Sequence, residues 1–79
     1  GGRHWGINVW NYRSRGAAEA ELLRTVLSEL GTLEGSLRKV VAKQTGFDAN
    51  FYGMTRDAAA LACRRLAARK QTCSTIGPG

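Results

Sequence analysis

Trp5-Gly6-Ile7-Asn8-Val9-Trp10-Asn11-Tyr12 is the stretch on which the fold of this chain turns. A β-strand sends successive side chains to opposite faces. Ile7 and Val9 then point one way, as ordinary core material. Asn8, Trp10 and Tyr12 point the other way, toward the face a small domain leaves to water. Large rings with hydrogen-bonding neighbours on an open sheet suit stacking on flat ligands, either sugar rings or nucleic-acid bases.

Working outward, residues 13–16 read as a turn, with Ser14 placed to cap a helix. Residues 17–30 have helical spacing. Ala20, Leu23, Leu27 and Leu30 recur at that spacing, with Leu22 and Val26 beside them. Glu19 and Glu21 fall in the first turns, where the helix dipole favours negative charge, and Gly31 is the expected stop. After a polar link, residues 36–44 form a second strand whose inward face stays ambiguous, and Thr45-Gly46 makes a hairpin turn. A third strand over 47–52 puts Phe47, Ala49 and Phe51 on one side and Asp48, Asn50 and Tyr52 on the other.

Thr55 caps a second helix, with Asp57 in its first turn. Residues 58–70 are rich in Ala, Leu and Arg, all strong helix formers. Ala59, Ala62, Cys63 and Leu66 make its buried stripe, and Arg64, Arg65 and Arg69 lie to the sides or outside. Residues 72–76 read as a short last strand. The order strand-helix-strand-strand-helix-strand predicts an α+β domain with the split βαβ, ferredoxin-like or RNP-like arrangement βαββαβ. Two helices cover one face of a four-stranded antiparallel sheet. The other face carries Asn8, Trp10, Tyr12, Asp48, Asn50 and Tyr52.

At 79 residues there is room for one domain with a small core, read as residues 5–76. Residues 1–4 are expected to be a flexible leader or cloning remnant and 77–79 a disordered tail. The chain opens Gly1-Gly2 without Met or signal peptide, so it is expected to be a piece of a longer protein. A net charge of +6 and a pI near 10.2 favour an anionic partner, against the alternative of a basic surface that only aids solubility. No apolar run approaches the ~20 residues of a membrane span.

The two cysteines, Cys63 and Cys73, fit neither a zinc pattern nor a redox pair, and His4 is the only imidazole. No metal or cofactor is expected. Two buried thiols or one disulfide remain. The disulfide is favoured because closing so short a loop stabilises by about 2–3 kcal/mol, and it implies an oxidising compartment. A helix end and the strand after it also approach within disulfide range when they pack.

Catalytic signatures are weak. Ser36-Leu37-Arg38-Lys39 matches the S-x-x-K of penicillin-binding enzymes, but it reads as strand and lacks its companion elements. His4 has no partner nucleophile or carboxylate. Asp48 is a lone carboxylate on the platform, where glycoside hydrolysis usually needs two. Gly46-Phe47 and Tyr52 partly echo the RNP1 motif of RNA-binding domains, but Asp48, Ala49 and Asn50 break it. The alternatives to a carbohydrate-binding face are therefore an RNA-binding module on the same sheet and a protein-interaction face that buries the same rings.

Three motifs, in order, carry a family resemblance: Trp5-Gly6-Ile7-Asn8-Val9; Phe47-Asp48-Ala49-Asn50-Phe51-Tyr52-Gly53; and Ala62-Cys63-Arg64-Arg65-Leu66-Ala67-Ala68-Arg69 followed by Cys73. Together they resemble the SPOR domain, above all the kind at the C-terminus of some D-alanyl-D-alanine carboxypeptidases. The resemblance spans residues 5–76. It implies an RNP-like fold, a bacterial envelope or periplasmic location, and binding of septal peptidoglycan glycan strands stripped of stem peptides. It also implies that the module is not itself an enzyme and targets a larger cell-wall protein to the division septum. Carried over position by position, Asn8 stands where the family usually has Gln. Trp10 and Asn11 replace Gly and a small residue, and Tyr12 occupies an aromatic position. Asp48 and Asn50 stand where Arg is frequent. These departures take basic groups from the platform centre and add a large ring. The expected glycan contacts are Asn8, Trp10, Tyr12, Asp48, Asn50 and Tyr52.

Overall fold

Alternation in the first apolar stretch produces strand β1, Trp5–Tyr12, and the hairpin that follows later supplies β2, Leu37–Lys43, and β3, Gly46–Met54. The computed structural model describes residues 2–79, so Gly1 of the expected 1–4 leader lies outside the described residues. Between β1 and β2 come α1, Arg15–Ser28, and a single turn, α2, Leu30–Leu33. After β3 come α3, Arg56–Ala68, and the short β4, Ser74–Ile76. The sheet order is β2-β3-β1-β4 with every pairing antiparallel. This is the expected α+β, ferredoxin-like arrangement, with α2 as an addition.

The helices pack on the face that presents Ile7 and Val9 from β1 and Ala49, Phe51 and Met54 from β3. Against these lie Ala18, Leu22 and Val26 of α1, Leu33 of α2, and Ala59, Ala62 and Leu66 of α3. The α3 stripe is as expected. Both predicted caps form: Ser14 Oγ accepts from the Ala17 N–H and Thr55 Oγ1 from the Ala58 N–H, each at 3.1 Å. The α1 stripe is different. Leu23, Leu27 and Leu30 are exposed, and the buried positions are Ala18, Leu22, Thr25 and Val26. Two stripes with helical spacing coexist on this helix, and the sheet selects the other one.

The helix boundaries also shift. With Ser14 as cap, α1 starts at Arg15, so its first turn holds no acid, and it ends before Glu29. Gly31, the expected stop, lies inside α2. The reason is Glu29, whose buried carboxylate takes the Nε–H of Arg65 of α3 and of Arg69, the residue that caps α3, each at 2.5 Å. These bonds lower the pKa of its carboxyl from the ordinary value. Gln71 adds a bond from its Nε2 to Thr25 Oγ1 at 2.7 Å. Cys63 and Cys73 form the favoured disulfide, with a Cα–Cα distance of 5.2 Å, tying α3 to the segment that enters β4.

Two irregularities in β1–β3 pairing govern what the sheet presents. Trp5 pairs Met54 and Ile7 pairs Phe51, so Tyr52 and Gly53 together oppose Gly6. Gly53 has φ 80°, a conformation that costs glycine little. Farther along, Asn8 pairs Asn50 while Asn11 pairs Asp48, so Val9 and Trp10 together oppose Ala49.

Candidate functional site on the open sheet face

The second bulge reverses the alternation of β1 in its last residues. Up to Val9 the predicted parity holds. Beyond the bulge, Asn11 comes opposite Asp48 on the open face, and Tyr12 comes opposite Phe47, which packs against the core. Tyr12 therefore does not belong to the platform, contrary to the sequence expectation. It packs against the core, and burial pushes its hydroxyl pKa up, with the charge of Glu21 on α1 adding to the rise and Arg24 opposing it. The physical reason is the extra residue: one insertion flips every later side chain to the other face.

Trp10 occupies the bulge itself, with φ 116° and its side chain 57% exposed. That backbone region is unfavourable for a residue with a Cβ, by an amount of order 1–3 kcal/mol. Side chains on both sides of Trp10 hold the distortion. Asn8 Oδ1 accepts the Trp10 N–H at 3.1 Å, and Asn8 Nδ2 donates to the Trp10 carbonyl at 3.2 Å. The Tyr12 hydroxyl donates to the Val9 carbonyl at 3.0 Å.

A line of polar groups crosses the sheet from Asn8. Its Nδ2 donates to Asn50 Oδ1 at 2.7 Å, and Asn50 Nδ2 donates to the Tyr52 hydroxyl oxygen at 2.9 Å. Asn50 is only 4% exposed, so this predicted contact is a buried floor rather than a free hydrogen-bonding group. Asn8 likewise spends its amide inward. Tyr52 acts only as acceptor among the described bonds, which leaves its O–H free to donate outward, as the exposed Trp10 indole N–H also is. Asp48 accepts from Asn11 Nδ2 at 2.8 Å and lies 3.9 Å from Lys43 Nζ, so its charge is largely answered within the protein.

The strand whose facing was ambiguous in sequence completes the surface. Pairing sets Leu37 across from Tyr52, Lys39 across from Asn50, and Val41 across from Asp48. Leu37 is 68% exposed, and Lys39 is exposed with no acidic partner among the described residues. On the opposite side, Ser74 pairs Asn8 and Ile76 pairs Gly6. The face thus offers ring and aliphatic surface over a hydrogen-bonded floor, with a cationic group at one side. Leu37 and Lys39 were missed because an evenly mixed strand shows no apolar face; only its pairing with β3 reveals one.

The tempting motifs have structural uses. The Ser36 hydroxyl donates to the Leu33 carbonyl at 2.6 Å, closing the turn before β2. Phe47 lies on the helix side beneath the Arg15 guanidinium, 5.4 Å from its ring centre, so it offers no stacking ring to the open face. His4 lines a surface depression with Trp5, Arg56 and Asp57. Among the described residues there is no group of His, Cys, Asp and Glu able to hold a metal, and no helix long and apolar enough to cross a membrane. No protein-family model matches the chain, and no curated protein or solved structure matches it.

Proposed function

We propose that this chain is a non-catalytic, SPOR-like module that binds peptidoglycan glycan strands lacking stem peptides and recruits a larger envelope protein to the division septum. The observation that carries this reading is the Tyr52 ring on the open face, with a free hydroxyl proton over an amide floor already saturated within the protein, together with the exposed Trp10 ring at the bulge of the neighbouring strand. Such a floor asks for no water or ligand bond of its own. The apolar C–H faces of pyranose rings stack on rings of this kind, and sugar hydroxyls and N-acetyl carbonyls take the Tyr52 and Trp10 donors.

Charge supports the same reading. A denuded strand carries the lactyl carboxylates of N-acetylmuramic acid, which the net +6 attracts. Lys39 supplies on β2 a cation of the kind that Asp48 and Asn50 do not supply on β3. A periplasmic setting agrees with the disulfide.

The test is a pull-down on cell-wall sacculi before and after an amidase removes stem peptides. Retention should rise after amidase treatment. Absence of binding to the treated wall ends this reading even though the fold stands. A salt titration separates it from RNA binding by the same face, whose affinity would fall steeply through counterion release.

A further inference from the structure

The Val9–Trp10 bulge is held by side-chain hydrogen bonds from within its own strand. An inserted residue leaves backbone groups out of the ladder. β4 ends its pairing with β1 at Asn8, so among the described residues no strand flanks residues 9–12 on that edge. Three of the freed groups are taken by side chains of the same strand: the Val9 carbonyl by Tyr12, and the Trp10 N–H and carbonyl by Asn8. Glycine would occupy φ 116° with little strain, yet the position holds a tryptophan, 57% exposed and outside the core cluster. Strain of this kind persists where the surroundings over-determine it, and it clusters at binding and catalytic sites.

We infer that the bulge is a device for presenting Trp10, in which Asn8 and Tyr12 are positioning residues and the Trp10 indole is the contact that stacks on a pyranose ring of the glycan. This rests on the glycan reading above for its ligand. Asn8 reaches the ligand only through Trp10, because its amide is spent on the Trp10 backbone and on Asn50. Tyr12 acts from beneath, through one hydroxyl bond. Holding the backbone before the ligand arrives removes the ordering cost from the binding step.

The test combines three variants with two readouts: affinity for amidase-treated glycan, and 15N relaxation of the two indole N–H groups in the free protein. Trp10→Gly should melt at or above the wild-type Tm while binding falls at least tenfold. Tyr12→Phe keeps the ring and deletes the bond to Val9; binding should weaken about three- to tenfold with unchanged circular dichroism. Asn8→Ala should weaken binding at least as much. In both positioning variants the Trp10 indole should become mobile while that of Trp5 stays rigid. A Trp10 indole equally ordered in wild type, Tyr12→Phe and Asn8→Ala overturns the inference, as does Trp10→Gly that melts below wild type. Wild-type affinity in both positioning variants, beside lost binding in Trp10→Gly, overturns it while leaving the glycan reading intact. Wild-type protein that ignores denuded glycan removes that reading and the ligand named here, and the relaxation data then decide on the bulge alone.

Discussion

Asn50 shows how a polar residue on a nominally open face becomes structural. It is nearly covered, and both ends of its amide are engaged, one by Asn8 and the other by Tyr52. Asn50→Ala leaves the Asn8 donor and the Tyr52 acceptor without this partner, a loss that costs about 1–3 kcal/mol for buried groups. Urea denaturation should show that drop in stability, and glycan binding should weaken with it as Tyr52 and the Asn8 clamp loosen. Single residues of this strand were legible in type but not in role. The alternation of residues 5–9 was readable because each apolar residue meets a covered face. Tyr12 was not, because an inserted residue carries no apolar signature; Trp10 looks like any strand aromatic until its φ is known.

Elements are joined here by side chains more than by their own propensities. Glu29 ends α1, starts α2 and takes Arg65 of α3 and Arg69 at its C-terminal cap. Its carboxyl is held below its ordinary value, chiefly by the hydrogen bonds from Arg65 and then Arg69. A depressed folded pKa means that the contribution is complete above the unfolded value, near 4.5, and is lost as pH falls through the folded value. Glu29→Gln should therefore lower Tm at pH 7 and flatten the loss of stability under acid, measured by thermal melts across pH. Reducing Cys63–Cys73 should cost about 2–3 kcal/mol, from the entropy of a short loop, seen as a lower urea midpoint with reductant present. The caps at Ser14 and Thr55 were readable because capping is local chemistry. The buried stripe of α1 was not: Leu22, Leu23, Val26 and Leu27 put apolar residues on more than one side of the helix, and only the sheet chooses between them.

At the scale of the molecule, one face is sealed by helices and the other presents a surface of rings, amides and lysines, on a chain with net charge +6. If the proposed function holds, Lys39→Ala should weaken binding to denuded glycan and make the remaining binding less sensitive to salt, because it removes one cation that would attract the lactyl carboxylates. A glycan titration at low and at physiological ionic strength measures both. The βαββαβ order, the antiparallel sheet, the caps, the α3 stripe and the cysteine pair were determined by the sequence itself, since periodicity, capping and spacing act over a few residues. The tertiary structure alone decided the face of α1, the facing of β2, the burial of Asn50 and the reversal of β1 after Val9. Each of those depends on what lies opposite, and register between strands is set by the whole sheet rather than by any one segment.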